Sequence, residues 1–180
     1  NWWGDTRKVY TYSKKTSDGD DFFWNDLDSS QQSEILNTDM VDINGDGSYN
    51  GTDGAPLVNY FRGDTSLEGS SLFRRRYSIL GDIVNSNPSY VPSSTPMVYV
   101  GSNDGMLHGF NATTGNEVFA YVPTGLFPHL YKPSKALGYK HRLMADGQIT
   151  VAETGTAASP EMTLVGGLGH GGKGYYALNV

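Results

Sequence analysis

Oxygen-bearing residues recur at regular intervals between positions 42 and 53: Asp42, Asn44, Asp46, Ser48, Asn50 and Asp53, with Gly47 in their midst. Counted from Asp42 they fall at positions 1, 3, 5, 7, 9 and 12, with Gly at 6. A hard cation such as calcium takes six to eight oxygen ligands, and an EF-hand loop supplies them from those positions around a sharp glycine bend. Ser48 would contribute its backbone carbonyl, and Asn50 would act directly or through water. The spacing therefore predicts a Ca2+ site in a short helical segment. Asp53 stands where calmodulin-type loops carry a bidentate Glu, so the expected affinity lies toward the weak, extracellular range of about 10⁻⁴–10⁻³ M, although dockerin-like loops that also end in Asp can bind more tightly. The competing reading is a solvated acidic turn free of metal.

Arg62-Gly63-Asp64 follows shortly after. On an exposed turn such a tripeptide presents a guanidinium and a carboxylate that can bridge to a host integrin, whose own metal accepts the Asp. Three-residue matches are common, and Gly63 equally suits the left-handed residue that ends a helix. Two other motifs fail on context. Residues 167–172 satisfy G-x-G-x-x-G, and the run to Lys173 approaches a phosphate-binding loop. Both need a helix to follow, and Gly174-Tyr175-Tyr176-Ala177-Leu178 reads as strand. His108, His129, His141 and His170 show no zinc spacing, and no nucleophile elbow or paired-carboxylate context is visible. They are read as turn or sheet-face residues. No Cys is present, which removes disulfides, thiolate catalysis and Cys-ligated zinc.

The elements that must position these residues can be read from pattern. Lys8-Val9-Tyr10-Thr11-Tyr12-Ser13 alternates as a strand does, and Ser17-Asp18-Gly19-Asp20 reads as a turn. Ser29 with Gln32 three residues on forms a capping-box signature ahead of Ile35 and Leu36, and Asp53 to Phe61 reads as a second short helix ended by Gly63. Arg74-Arg75-Arg76 is expected to be a strand with one Arg solvated and another paired. From Phe73 onward short apolar runs separated by Gly, Asn, Asp or Pro predict strands at 97–100, 107–110, 117–121, 148–151, 163–165 and 175–178. Three regions result: an opening strand and linker over 1–24, a helical insert with the acidic loop and the Arg-Gly-Asp turn over 25–72, and a β region over 73–180. Many short strands with Gly-rich turns point to an all-β sandwich, barrel or propeller.

Composition constrains partners. The 180 residues carry 13 Lys+Arg against 19 Asp+Glu, a net charge of −6, and ten of the acids fall within 18–53, a window without Lys or Arg. Such a field attracts cations and repels phosphate backbones, so nucleic acid is not expected as a partner. No run of about 18 apolar residues exists, so no membrane span is expected, and no leader-like segment opens the chain.

An internal repeat selects the propeller. Val98-Tyr99-Val100-Gly101-Ser102-Asn103-Asp104-Gly105-Met106-Leu107-His108-Gly109-Phe110-Asn111 parallels Leu164-Val165-Gly166-Gly167, a Gly-rich loop, then Gly174-Tyr175-Tyr176-Ala177-Leu178-Asn179. Each reads as strand, Gly turn, strand, with Asn at the exit, as successive blades of a radial array would. The first copy, completed by Thr114-Gly115, carries the hairpin signature of quinoprotein-like propellers. Gly105 is expected at positive φ, and Gly101 at a close backbone approach. The expected fold is all-β: a fragment of a quinoprotein-like β-propeller whose remaining blades lie outside it, with the EF-hand-like calcium-loop insert.

With Phe73-Arg74-Arg75-Arg76, Leu80-Gly81-Asp82-Ile83-Val84-Asn85-Ser86-Asn87-Pro88, Tyr121-Val122-Pro123 and the Leu164 to Gly174 stretch added, residues from about 24 to 180 resemble the C-terminal propeller of the PilC/PilY-type tip-associated adhesins of type IV pili. The resemblance implies a secreted protein at the pilus tip and cell surface, without enzymatic activity. It implies promotion of pilus assembly, and with it twitching motility, surface or host-cell attachment and virulence. The implied partners are major and minor pilins and a host integrin or surface ligand. Some members carry a calcium loop shortly before an Arg-Gly-Asp, matching 42–53 and 62–64 here. The alternative is a pyrroloquinoline quinone dehydrogenase-like propeller, in which calcium assists hydride abstraction. Against it, Phe119 replaces the repeat's usual docking Trp, and no convergent Glu/Asp/Asn set is visible. A third possibility is an outer-membrane assembly scaffold of similar shape.

Overall fold

The computed structural model describes residues 2–156 and 158–180. The chain forms two compact units: residues up to Leu80 together with Tyr121–Arg142, and Gly81–Ala120 together with Leu143–Val180. These are drawn differently from the three consecutive regions expected from sequence. The acidic insert shares a unit with the opening strand, and a later stretch of chain returns to complete it.

The first unit contains α1 (Trp2–Asp5), β1 (Val9–Ser13), β2 (Asp18–Asp21), α2 (Ser29–Ile35), α3 (Gly51–Arg62) and α4 (Tyr131–Ser134), with 3-10 turns at Trp24–Asp26 and Thr124–His129. β1 and β2 pair antiparallel, Tyr10 opposite Asp21 and Ser13 opposite Asp18. The period-2 pattern of β1 turns Val9, Thr11 and Ser13 inward, while Tyr12 is 43% exposed. The small polar residues, rather than the aromatic ones, form the core face. Burying hydroxyls costs little once each has a partner: Thr11 Oγ1 donates to the Val122 carbonyl at 2.8 Å and Ser13 Oγ to the Asp26 carbonyl at 2.7 Å.

α2 starts one residue earlier than its sequence signature. Asp28 is the N-cap, its Oδ1 accepting the Gln31 N–H at 2.8 Å, and Gln31 Oε1 accepts the Asp28 N–H in return. Gln31 is also fully buried, donating its amide to the Tyr12 carbonyl at 2.7 Å, which ties α2 to β1. α3 ends at Gly63, which takes the left-handed conformation with φ 117° as expected. Ile35, Leu57, Val58, Phe61, Leu126 and Leu130 are buried with Phe22 and Phe127, whose rings stack at 5.7 Å. Each such side chain stabilises the fold by roughly 1.5–3 kcal/mol. The helical turns between 124 and 134 supply Leu126, Phe127 and Leu130 to this core, although the sequence places them within a region expected to be strand-rich.

The arginine run is not a strand. Only isolated bridges at Phe73 occur; the Arg74 N–H goes to the Ser134 carbonyl at 2.8 Å and the Arg76 N–H to the Glu68 carboxylate at 3.0 Å. The expected division of labour does appear. Arg75 is exposed, and Arg76 forms an ion pair with Glu68 while lying 3.7 Å above the Tyr60 ring.

The second unit holds β3 (Ser89–Val91), β4 (Met97–Gly101), β5 (Leu107–Asn111) and β6 (Glu117–Tyr121), whose last residue already belongs to the first unit. These run in the order β6-β5-β4-β3, and β7 (Ile149–Thr156), β8 (Ser159–Gly167) and β9 (Tyr175–Asn179) form a separate antiparallel sheet. Every strand run expected after residue 97 is present, and β7 and β8 are longer than their apolar cores. At the β4-β5 turn the Ser102 N–H donates to the Met106 carbonyl at 2.9 Å and Gly105 has φ 95°. A Cβ on Gly101 would stand 2.1 Å from the Ala145 carbonyl oxygen, so only glycine fits. The result is a mostly-β protein with few helices, and neither sheet closes on itself.

Candidate functional site

The acidic loop lies in the first unit and ends in α3. Its carboxylates fold the backbone around themselves. Asp42 Oδ1 accepts the Gly45 N–H at 2.7 Å and Oδ2 the Gly47 N–H at 2.8 Å. Gly45 and Gly47 sit at φ 72° and 76°, a conformation that side chains resist. Asp46 Oδ1 accepts the Ser48 N–H at 2.7 Å, and its Oδ2 accepts the Asn44 amide at 2.8 Å.

Asn50 and Asp53, expected as the last two ligands, cap the helix. Asn50 Oδ1 accepts the Thr52 N–H at 2.9 Å, and Asp53 Oδ2 accepts the Asn50 N–H at 3.1 Å, a reciprocal cap that satisfies donors orphaned at the start of α3. The other Asp53 oxygen takes the Ile43 N–H at 2.7 Å, and the residue is fully buried. Asp53 thereby clasps both ends of the loop. Among the described residues no three His, Asp or Glu side chains gather into a group able to hold a metal. The donor chemistry nevertheless fits a hard cation, because a carboxylate oxygen that accepts one N–H keeps a further lone pair.

The Arg-Gly-Asp turn is held into the first unit by its own side chains. Integrin capture needs a presented guanidinium, and Arg62 is 1% exposed. Its NH1 donates to the Val9 carbonyl at 3.3 Å and its NH2 to the carbonyls of Trp3 and Arg7 at 3.2 Å, while the guanidinium lies 3.6 Å from the Phe23 ring centroid. Burial pulls its pKa below the usual arginine value, with Asp21 opposing. Asp64 is also engaged: its Oδ1 accepts the Ser66 N–H at 2.9 Å and its carbonyl accepts from Arg76 at 3.1 Å. Arg62 is a staple that joins α3 to the opening strand.

The second unit holds two polar knots that sequence reasoning missed. His108 is fully buried, with Nδ1 2.7 Å from Glu117 Oε1 and Nε2 3.0 Å from Asp104 Oδ2. Burial alone would push its pKa down, but the Asp104 and Glu117 carboxylates outweigh this and hold it at about 9. The ring is a charged strut inside β4-β5-β6, with no open face for a substrate. Asp146, also buried, accepts from the Asn85 backbone at 3.1 Å and the Asn85 amide at 2.6 Å, and lies 3.2 Å from His170 Nδ1. The Leu80 to Pro88 string is explained by such contacts. Asn103 Nδ2 donates to Asp82 at 3.0 Å, and the Gly101 N–H donates to Ser86 Oγ at 2.9 Å. Their signal in the sequence was the pairing of short polar residues on either side of a Gly turn.

Antiparallel hairpins with glycine at close backbone approaches, braced by buried polar knots, mark a β-rich fold. The family model described as the PilY1 beta-propeller domain matches residues 89–180, and the chain belongs to that family. It is 39% identical, across 98% of its length, to the type IV pilus biogenesis factor PilY1 of Pseudomonas aeruginosa strain PAK, of which it covers 17%. It is 40% identical to a PilY1 homolog of Xylella fastidiosa strain Temecula1, with 70% of this chain and 13% of the relative covered. The crystal structure of the Pseudomonas aeruginosa PilY1 C-terminal domain is 40% identical over 48% of this chain and 16% of that one, with a TM-score of 0.34. The chain thus spans about one sixth of the length of the Pseudomonas relative.

Proposed function

We propose that this chain is a propeller module of a type IV pilus tip adhesin and assembly factor, which supports pilus biogenesis and, through it, twitching motility and surface attachment. The observation that carries the reading is the identity to PilY1 across nearly the whole chain. The repeated hairpins favour blades of a quinoprotein-like ring completed by residues beyond this piece. The role is binding and assembly, as the printed name of the relative, a pilus biogenesis factor, suggests, and the His108 knot with Asp104 and Glu117 is fully buried. Pilins are the natural partners, and the working place is the cell surface at the pilus tip. In the full-length protein, deletion of 81–180 should reduce surface pili and twitching zones. Normal piliation in that strain would overturn the reading.

Within this role we read residues 42–53 as a calcium loop, with Asp42, Asn44, Asp46 and the Ser48 carbonyl as donors and Asn50 and Asp53 shared between capping and the ion. Calcium would neutralise carboxylates that otherwise repel one another. What supports this is the donor spacing and the turn that the two positive-φ glycines already impose. Calorimetric titration of the chain against an Asp42→Ala/Asp46→Ala double variant tests it, and equal heats would end it.

A further inference from the structure

Four of the 13 Lys and Arg residues of this acidic chain are gathered where no function described above uses them. Between Glu117 and Asp146 there is no Asp or Glu, yet Lys132, Lys135, Lys140 and Arg142 all fall there. Within the first unit these four line one cleft of about 400 Å³ beside Tyr131 and His141, with Asp39 as the carboxylate in its wall.

Among the described residues none of the four cations forms an ion pair. Lys132 Nζ and Lys135 Nζ lie 5.6 and 5.7 Å from the Tyr131 ring centroid, and Lys132 Nζ is 3.5 Å from His129 Nδ1. Arg142 Nε is buried without a hydrogen-bond partner. Burial and the neighbouring Arg142 press the Lys132 pKa below the ordinary lysine value, and the same two causes, with Lys132 itself, lower that of His129. Like charges brought together out of water raise the energy of the folded state unless a counter-charge joins them. The chain's net charge of −6 shows that this crowding does not follow from a generally basic composition.

We propose that this cleft is an oxyanion site that takes a phosphate-monoester group. Four cations against one carboxylate leave a positive excess suited to a doubly charged group, and a guanidinium beside lysine ammoniums suits tetrahedral oxygens. The volume lies in the range of small-molecule sites and leaves room for a sugar-sized carrier beyond the anion itself. The inference is independent of the role in pilus assembly.

The test is calorimetric titration of the chain with inorganic phosphate, glucose 6-phosphate and glucose, in low-salt buffer. The expected result is saturable binding of the phosphate-bearing probes and none of glucose. Tighter binding of glucose 6-phosphate assigns the site to a phosphorylated sugar, and equal binding assigns it to free phosphate; either supports the proposal. Arg142→Gln should weaken binding about tenfold, the value of one charge-assisted contact. Lys140→Gln, at an exposed position, should weaken it several-fold with the fold intact by circular dichroism, which covers the case in which Arg142→Gln does not fold. No saturable binding of either phosphate probe, binding by glucose as tight as by its phosphate, or affinity unchanged in Lys140→Gln would overturn the proposal.

Discussion

Nε2 of His108 lies 3.0 and 3.1 Å from the two carboxylate oxygens of Asp104, while the other ring nitrogen faces Glu117. Both nitrogens can donate only when the ring is protonated. Its folded pKa of about 9 stands above the ordinary 6.5. The stabilisation is therefore complete below about pH 6.5 and is lost as pH rises through about 9, a change of about 3 kcal/mol. Urea unfolding between pH 6 and 10 should show the midpoint falling over that window, and His108→Gln should be less stable at pH 7 and lack the fall. A wild-type midpoint that stays level to pH 10 would refute the strut.

Arg62→Ala should destabilise the first unit by roughly 3 kcal/mol, because several backbone carbonyls lose their donor together. Arg62→Lys should recover little, since an ammonium cannot span those carbonyls while stacking on Phe23. The folded chain should also fail to compete with Arg-Gly-Asp peptides for an integrin. Competition at native conditions would show that the guanidinium leaves its seat.

Calcium should slow limited proteolysis near Gly51, and chelation should restore it while the far-ultraviolet circular dichroism of the β strands stays unchanged. Asp42→Ala/Asp46→Ala should cut equally fast in both conditions. A digestion rate of the wild-type chain indifferent to chelator would remove calcium from the account of this loop.

Gly101→Ala should destabilise the second unit by about 2 kcal/mol or more, because the added methyl meets a backbone carbonyl that cannot swing aside. Thermal unfolding checks this, and a melting temperature within a degree of wild type would contradict it. Gly115→Ala, where the space around the Cβ is open but φ is 75°, should cost only about 1 kcal/mol.

The strands were legible because period-2 runs are local, and the end of α3 was legible because Gly63 is a local signal. The hidden parts are those set by distant partners. β1 shows it: alternation was visible at Val9 to Ser13, but which face is buried depends on Val122 and Asp26, whose carbonyls take the Thr11 and Ser13 hydroxyls. The same holds for Arg62, where three letters resembled a recognition motif and the carbonyls that fix its role come from residues 3 to 9. In the acidic loop the spacing of oxygens was readable, whereas the demand of α3 for a cap at Asn50 and Asp53 competed for the same atoms. His108 and Asp104 are four residues apart, yet a turn of chain and a third residue, Glu117, were needed to make them a unit.

The first unit draws on residues up to Leu80 and again on Tyr121–Arg142. A polypeptide synthesised from its amino end therefore cannot finish that unit until position 142 has emerged, and Phe22, Leu57 and Phe61 must wait uncovered for Leu126, Phe127 and Leu130. Loops that close late slow folding and leave sticky intermediates in the interval. The order of the chain thus sets an interval in which part of the first unit's core is uncovered and prone to aggregate.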